Sequence, residues 1–367
     1  MPGMSSPLLE PMTFRNGRTA PNRVWVAPMT NKASHADGTL SDDELAFLVA
    51  RAAGGFGVVE SCASHVTEDG QAWPGELAMF DDRHAPGWRR LAEAFRPHGS
   101  LLLGQAFHGG MRTLREAGRP LPWSCSASPE GTPPEEAVRE GTPEDFERVI
   151  DAFAAAARRL EAAGVDGVEL HGAHGYLLCQ FLSTTFNRRT DAWGGSLEDR
   201  ARMIRRTMQA TRAAVGDAFI VGVRLSPESS PSLPGIDLDE TVQVARWLCE
   251  DGADFIHVSL WNAERMTAKR PQEHAARIFR DAIPADVPVI TAGNLWTESD
   301  ALAQLDHGAD AVALGRAAIA NPDWPRRVAG DGTEPRRPPL SAAELRARGL
   351  GPAFVEYMRK WPGFVAD

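Results

Sequence analysis

EAAGVDGVEL, residues 161–170, joins the end of one predicted helix to the start of a predicted strand. Gly164 stands where a helix commonly ends in a left-handed residue, and the apolar run GVEL follows it closely. The same succession recurs in EDGADF (250–255) and DHGADA (306–311), and AAGG (52–55) marks a further helix end. A helix that ends in glycine and leads into a short apolar strand is therefore a repeated unit of this chain.

Eight short apolar runs are predicted as strands: RVWVA (23–27), GVVES (57–61), LLLGQAF (101–107), GVEL (167–170), FIVGVRLS (219–226), FIHVSL (255–260), PVITA (288–292) and AVALG (311–315). Helix starts of the capping-box kind lie between them, with a Ser or Thr oxygen capping the first turn: SDDE at 41, TPED at 142, SLED at 196 and TESD at 297. Strands that alternate with helices in this way predict an α/β protein with a closed (β/α)8 TIM barrel. An open doubly wound sheet is the alternative, which the absence of GxGxxG after the first strand disfavours.

The 367 residues are expected to form one domain, because a barrel of this kind commonly takes about 250 residues and more with insertions. The barrel is predicted over residues 1–330. Segment 109–141 is rich in Gly and Pro and is predicted as a long loop after the third strand that covers the working face. The C-terminal extension, 331–367, ends in aromatic residues and is expected to pack on the barrel or on a neighbouring subunit.

Composition narrows the classes of partner. The chain has 39 Lys and Arg against 49 Asp and Glu, and its net charge of −10 argues against nucleic acid. Four separate cysteines without a CxxC pair argue against a disulfide framework and fit a reduced, cytoplasmic setting. The first residues lack the basic flank and apolar region of a signal peptide, and no run of about 18 apolar residues occurs, so neither export nor membrane spanning is expected. It leaves open whether the chain forms a homo-oligomer, either a dimer or a tetramer.

In such a barrel the active site is built at the C-terminal ends of the strands. The glycines, Asn294 and Arg316 after the seventh and eighth predicted strands suit a phosphate group, although the glycines could simply close tight turns. Arg224, inside an apolar strand, needs an anion or a hydrogen-bonding plane, such as a flavin ring. A salt bridge to Glu169 or Glu60 inside the barrel is the alternative explanation for this arginine.

HGAHGY, residues 171–176, places two histidines and a tyrosine directly after the fourth predicted strand. On one face of a short helical turn, His171 and His174 could both donate to one carbonyl oxygen and stabilise an enolate. Tyr176 is then a plausible acid for a carbanionic carbon. Two alternatives remain: a zinc site of a barrel hydrolase, formed with Glu169 and His108, and a buried histidine pair beside a structural tyrosine.

Five motifs in order resemble the Old Yellow Enzyme family of FMN-dependent ene-reductases: NRVWVAPMT (22–30), GQAFHGG (104–110), DGVELHGAHGYLLCQFLSTTFNRRTDAWGGSLEDRARM (166–203), VGVRLSP (221–227) and DAVALGRAAIANPDWPRR (310–327). The resemblance implies FMN as cofactor, NADH or NADPH as hydride donor, and no metal. It implies a ping-pong reduction of enone-type substrates, that is, α,β-unsaturated ketones, aldehydes or imides. The same site acting as a desaturase is an alternative.

The resemblance also assigns roles residue by residue. Along the flavin it places Pro28, Met29 and Thr30, with Ser61 and Gln105 on the pyrimidine side, Arg224 near N1, and Gly293, Asn294, Gly315 and Arg316 at the phosphate. It assigns His171 and His174 to the substrate carbonyl, Tyr176 to proton delivery and Phe107 to the pocket wall. The chain departs from the family at Met111, where relatives commonly carry a basic residue. Some relatives also have Asn in place of His174 or Cys in place of Thr30, so the substrate preference is left open.

Overall fold

Eight parallel strands close into a barrel in the computed structural model, which describes residues 6–366. They are β1 (Val24–Val26), β2 (Val58–His65), β3 (Leu101–Phe107), β4 (Gly167–Gly172), β5 (Ile220–Leu225), β6 (Phe255–Ser259), β7 (Val289–Ala292) and β8 (Ala311–Leu314). Each strand pairs with the next in the chain, and β8 pairs with β1. The predicted (β/α)8 barrel is confirmed, and the open sheet is wrong because closure leaves no edge strand.

The helices surround the barrel: α1 (Asp42–Ala53), α2 (Ala85–Phe95), α3 (Pro143–Ala162), α4 (Leu177–Leu182), α5 (Leu197–Ala213), α6 (Leu238–Glu250), α7 (Ala275–Ala282), α8 (Glu298–Asp306), α9 (Arg316–Ala320), α10 (Ala342–Ala347) and α11 (Pro352–Met358). Thr142 and Thr297 form the complete capping boxes that were predicted. Ser41 also caps its helix, but Glu44 does not return the bond. The Glu44 carboxylate is buried and accepts hydrogen bonds from Asn31 and Ser34 instead.

Helix ends follow the glycine pattern of the sequence. Gly55, Gly164, Gly252 and Gly308 all have a positive φ, which a residue with a Cβ adopts at a cost. Each of these glycines lies in the turn that leads from a helix to the next barrel strand. The local sequence therefore sets the points at which the chain turns back into the barrel.

An aromatic cluster fills the N-terminal end of the barrel. The rings of Phe14, Trp25 and Phe255 lie 5.1–5.9 Å apart between centroids and are buried. Phe14 follows the first strand of a small antiparallel hairpin, Met12–Thr13 with Thr19–Ala20. Because this end is filled by apolar side chains, the opposite end, where the strands finish, is left for polar groups.

Strand β2 differs from its predicted bounds. It continues to His65, four residues beyond the predicted end at 61, and its register with β3 shifts between Glu60 and Ala63. Such a bulge changes which side chains point into the barrel. The shift alters the set of residues that reach the site.

The two segments outside the βα repeat have structure of their own. Segment 109–141 contains a short parallel pair, Trp123–Ser124 with Arg139–Glu140, and Trp123 is buried. The C-terminal part contacts α1: the ring of Phe354 lies 4.9 Å from that of Phe47, and Arg51 donates to the carbonyl oxygen of Arg348. Within residues 6–366, no helix is both long and apolar enough to cross a lipid bilayer.

Candidate active site

A cavity lies where the barrel strands end. Its wall contains seven of the predicted site residues and two that the sequence did not indicate: Pro28, Thr30, Gln105, His171, His174, Tyr176 and Arg224, together with Ala63 and Trp73. These residues come from segments that are distant in sequence. The barrel therefore brings most of the predicted polar groups to one place.

The HGAHGY stretch does not form the helical turn that was predicted. His171 belongs to strand β4, His174 has a left-handed backbone with φ of 59°, and Tyr176 is the cap residue before α4. His, Asn and Asp are the residues other than glycine that most often adopt this conformation. The ring of His171 lies 5.0 Å from those of His174 and Tyr176. The end of β4 and the tight turn after it therefore direct all three side chains into the same cavity.

The hydrogen bonds of His171 define its donor atom. The backbone N–H of Ala173 donates to Nδ1 of His171 at 3.3 Å, so the ring proton is on Nε2. Among residues 6–366, no group forms a hydrogen bond with Nε2 of His171. Burial, followed by the charge of Arg224, lowers the pKa of His171 to about 3. The imidazole is therefore neutral at physiological pH and offers one N–H to the cavity.

His174 is connected to Arg224 through a serine that the sequence analysis missed. Nε2 of His174 and Oγ of Ser259 share a hydrogen bond of 2.7 Å, and Nη2 of Arg224 donates to the same oxygen at 3.0 Å. Burial and then the charge of Arg224 lower the pKa of His174 well below its ordinary value. Ser259 is the last residue of strand β6. This position at a strand end is the only feature of the sequence that could have indicated a role in the site.

Arg224 has no carboxylate within 4 Å in the part of the chain that the structure describes, so the predicted alternative of an internal salt bridge is wrong. Its Nε is buried without a hydrogen-bond partner. Glu169 and Glu60 act on it only at longer range, and burial lowers its pKa. An unpartnered guanidinium N–H at a cavity wall requires an acceptor on a ligand.

The carboxylates below the cavity form a separate cluster. Oε2 of Glu169 lies 2.7 Å from Nδ1 of His257, and Gln105 donates to Oε1 at 2.7 Å. Glu60 lies 3.6 Å from the same histidine, and burial followed by the charge of Glu169 raises its pKa well above the ordinary value. Burial and the neighbouring carboxylate therefore favour the protonated form of Glu60.

The predicted zinc alternative is wrong in its ligand set. Within residues 6–366 the only group of three close potential ligands is Glu60, Glu169 and His257, which contains neither His171 nor His174. His108 packs on Trp123 and lies near Asp69. The geometry does not bring the proposed zinc ligands together.

Tyr176 lies between an aromatic ring and a cation. The ring of Phe107 is 4.5 Å from it, and Cζ of Arg112 lies 5.6 Å from its centroid. Burial raises the pKa of Tyr176 to about 12, against the opposing charge of Arg112. Arg112 was not predicted: it is the residue after Met111, so a basic side chain is present one position later than the family pattern suggests.

Phe107 supports the site from behind. It is completely buried and contacts Trp73, His171 and Tyr176 with its ring. It is absent from the cavity wall, so the predicted lining role is corrected to one of support. A fully buried ring that contacts two polar side chains fixes their orientation by packing.

Because of the bulge in β2, Ala63 lines the cavity and Ser61 does not. The Ser61 hydroxyl donates to the Cys62 carbonyl oxygen and accepts from the Gln105 N–H, so its hydrogen-bonding capacity is used within the sheet. Ala63 pairs with Gln105 after the register shift and lines the cavity. The resemblance assigned Ser61 to the pyrimidine side of the flavin, but the register shift in β2 places Ala63 at the cavity instead.

Gln180 fixes the turn that carries Tyr176. Its amide nitrogen donates to the carbonyl oxygens of Gly175 and Gly109, and its amide oxygen accepts from the Met111 N–H. The side chain is completely buried. Gln180 thereby attaches the start of segment 109–141 to the turn, a role that its place on α4 alone did not indicate.

Tyr357, on α11, reaches the far side of the site. Burial raises the pKa of Tyr357, and a hydrogen bond with the Thr30 hydroxyl opposes part of this increase. Nζ of Lys32 is 5.9 Å from its ring. The sequence indicated only that aromatic residues of the C-terminal extension would dock somewhere.

The residues predicted for the phosphate lie together. Arg316 donates to Oδ1 of Asn294 at 2.5 Å. Among residues 6–366, and apart from its own chain neighbours, only Met29 lies within 4 Å of the space that a Cβ on Gly315 would occupy. A Cβ on Gly293, by contrast, would lie 2.7 Å from the Leu260 carbonyl oxygen. Gly293 is therefore explained by its own tight turn, whereas Gly315 borders open space.

Comparison with known proteins gives a consistent result. The model of the NADH:flavin oxidoreductase / NADH oxidase family matches residues 7–333. A probable NADH-dependent flavin oxidoreductase of Bacillus subtilis, YqiG, is 37% identical over 330 residues, covering 88% of this chain and 87% of the relative. An NADPH dehydrogenase of Bacillus licheniformis is 30% identical over 353 residues, covering 94% of this chain and 96% of that protein.

Solved structures agree with these sequence relatives. The structure of the Old Yellow Enzyme homologue from Zymomonas mobilis superposes with a TM-score of 0.81 at 26% identity, covering 95% of this chain and 99% of that chain. Three further curated relatives are longer proteins, of which this chain covers between 33% and 50%.

Proposed function

Because the chain belongs to the NADH:flavin oxidoreductase / NADH oxidase family, we propose that its barrel site reduces the activated C=C bond of α,β-unsaturated carbonyl compounds. Family membership makes it an NAD(P)H-dependent flavin oxidoreductase with FMN as cofactor. The substrate class and the ping-pong order of the reaction are the proposed part. The observation that carries them is the convergence of His171, His174 and Tyr176 on the cavity that Arg224 also lines.

The polar groups of the cavity suit FMN. The unpartnered Nε of Arg224 can donate to the electron-rich pyrimidine side of a flavin. Gln105 and Thr30 line the same cavity and can hold the ring edge. Asn294, Gly315 and Arg316 would hold the phosphate, since a guanidinium is suited to paired hydrogen bonds with phosphate oxygens.

FMN, when bound, accepts a hydride from NADH or NADPH and transfers a hydride to the β-carbon of the substrate. The neutral His171 would donate its Nε2–H to the substrate carbonyl oxygen. His174 would donate beside it through Nδ1, because its Nε2 shares a hydrogen bond with Ser259. Each donor would stabilise the developing enolate by about 1–3 kcal/mol, as oxyanion donors do. Neutral imidazoles are suitable because they donate without needing to exchange a proton with solvent.

Tyr176 would complete the reaction by donating its phenolic proton to the α-carbon. With a pKa raised to about 12, the phenol stays protonated at neutral pH and is still far more acidic than the carbon it protonates. The hydride and this proton together saturate the C=C bond, and NAD(P)H is oxidised to NAD(P)+. Water then restores the proton of Tyr176.

The proposal is tested with the purified protein under nitrogen. We expect a yellow protein with about one FMN per chain that is bleached by NADH or NADPH and recovers its colour when cyclohexenone is added. Bleaching without recovery would leave an NAD(P)H:flavin oxidoreductase and overturn the substrate class. Formation of enone from cyclohexanone in air, without recovery by cyclohexenone under nitrogen, would favour the desaturase.

A further inference from the structure

A cleft of about 290 Å³ lies between the turn after β8 and the last residues of the C-terminal extension. Arg316 and Trp296 contribute to one side of it, and Arg337, Trp361 and Phe364 to the other. The cleft adjoins the proposed phosphate end of the FMN site, because Arg316 also donates to Asn294. The C-terminal extension therefore forms one wall of a pocket that begins at the barrel rim.

Both arginines of the cleft make cation–π contacts with tryptophan rings. Cζ of Arg316 lies 5.4 Å from the ring centroid of Trp361, and Cζ of Arg337 lies 5.2 Å from that of Trp296. Trp296 in turn donates to Oδ1 of Asn294 at 3.3 Å. A cation–π contact uses no N–H group of the guanidinium, so these groups remain able to donate hydrogen bonds.

Neither guanidinium has a carboxylate within 4 Å in residues 6–366. The charge of Arg337 acts on Asp300 at longer range and contributes to lowering its pKa. Oδ2 of Asp300, however, already accepts hydrogen bonds from the backbone N–H groups of Trp296 and Thr297. Arg336, the preceding residue, is by contrast paired with Glu344 at 3.1 Å. Two unpaired guanidiniums that face one cleft favour an anionic ligand.

We propose that this cleft binds a phosphate monoester, with Arg337 of the C-terminal extension as a second guanidinium beside Arg316. The proposal rests on the proposed function, and the first molecule that could supply the phosphate group is FMN. The extension would then close over the phosphate end of the cofactor, with the Trp296 and Trp361 rings holding the two arginines in place. The 2′-phosphate of NADPH has the same chemistry and is the second source.

The test compares ligands that differ only in the phosphate. Protein freed of flavin is titrated with FMN and with riboflavin, and binding is followed by quenching of flavin fluorescence. For Arg337→Gln we expect FMN to bind roughly 10- to 100-fold more weakly, as the loss of a charge-assisted bond predicts, with riboflavin unchanged. Arg336→Gln is the matched control, since it removes the neighbouring arginine and its surface pair with Glu344.

A second arm separates the two phosphate sources. If Arg337→Gln leaves FMN binding unchanged but raises the concentration of NADPH needed for half-maximal bleaching, with NADH unaffected, the ligand is the 2′-phosphate. Arg337→Lys retains the charge and should give a smaller loss in whichever arm responds. Circular dichroism checks that each variant is folded.

Two results would overturn the proposal and are distinct from failure of the proposed function. If Arg337→Gln and Arg336→Gln bind FMN, riboflavin, NADPH and NADH like the parent protein, the cleft is not a phosphate site, although the parent still binds FMN. If Arg337→Gln weakens FMN and riboflavin equally, the residue acts on the fold alone. Failure of the parent protein to bind FMN would instead refute the proposed function.

Discussion

Tyr176 and Tyr357 are the only tyrosines of the chain, and both lie against the same site from opposite ends of the sequence. At this scale, function depends on which polar atoms are left without a partner. His171 keeps a donor for the cavity because its other nitrogen accepts from Ala173, whereas Nε2 of His174 is engaged by Ser259. The two histidines are therefore not equivalent, although the sequence presents them as a pair.

Tyr176→Phe tests the proposed acid. We expect reoxidation of the bound flavin by cyclohexenone to slow by about 10²- to 10⁴-fold, the usual contribution of a general acid, with bleaching by NADPH nearly unchanged. Stopped-flow absorbance measures the two half-reactions separately. Tyr357→Phe removes the other phenol and should change reoxidation by less than about threefold. Equal slowing of both half-reactions by Tyr176→Phe would refute the role.

The reoxidation step should show no titration of the site residues near neutrality. With pKa lowered to about 3, His171 is neutral above that value, and with pKa raised to about 12, Tyr176 keeps its proton below that value. We expect a flat rate between about pH 6 and 9, instead of inflections near the ordinary values of about 6.5 and 10. An inflection near 6.5 in the parent that is lost in His171→Gln would contradict the neutral imidazole.

Ser259→Ala tests the connection between Arg224 and His174. Removing one hydroxyl should weaken the binding of a phenolic ligand, which mimics an enolate oxygen, by about 3- to 10-fold, the value of a single hydrogen bond. Spectral titration with a para-substituted phenol measures this affinity. Ser259→Thr keeps the hydroxyl and should restore most of the binding. Unchanged affinity in Ser259→Ala would mean that His174 is held by its backbone alone.

At the scale of elements, β2 and β5 show how the backbone of a strand determines which side chains fit inside the barrel. The bulge in β2 brings Ala63 to the cavity in place of Ser61. In β5, Gly222 leaves room for an aromatic ring, because a Cβ there would lie 2.1 Å from Phe255. The aromatic cluster at the N-terminal end of the barrel thus depends on a residue without a side chain.

Gly222→Val should destabilise the barrel. The added carbons have no space beside Phe255, and overpacking of a rigid core costs about 1–3 kcal/mol or more. Urea denaturation followed by tryptophan fluorescence measures the loss in the free energy of unfolding. Gly330→Ala is the control, since its Cβ would meet its first neighbour at 3.6 Å. A Gly222→Val protein as stable as the parent would show that Phe255 can move aside.

At the scale of the whole molecule, the C-terminal extension and the barrel share one core. Phe354 of α11 is buried against Phe47 of α1, and Arg51 donates to the carbonyl oxygens of Ala318, Ile319 and Arg348. A buried guanidinium that satisfies carbonyls from α9 and from the extension joins the two. The extension should therefore unfold together with the barrel.

Phe354→Ala should lower the stability of the whole chain by about 3–5 kcal/mol, the range for removing a buried aromatic ring. We expect flavin release and loss of tryptophan signal to shift together to a lower urea concentration. Leu121→Ala is the control because that side chain is exposed, and such changes are commonly within about 0.5 kcal/mol. Two separate transitions would show that the extension folds independently.

Most of the barrel could be predicted because its signals are local. Gly164 and its counterparts end helices through backbone conformation, and Thr142 and Thr297 start helices through bonds within one turn. Such interactions involve neighbours in sequence and can be recognised in the sequence itself. The same locality explains why three site residues were found: His171 and Tyr176 follow the end of a predicted strand, and Arg224 is a charged residue inside an apolar one.

The sequence by itself determined the eight-fold repeat, the strand ends and the polar residues placed there. The tertiary structure decided what those residues face: Ser259 reaches His174 from 85 residues away, and Trp73 and Tyr357 enter the site from segments with no strand pattern. It also turned the backbone at His174 and shifted the register of β2. The physical reason is that turns and caps depend on chain neighbours, whereas partners and orientation depend on which distant surfaces pack together when the barrel closes.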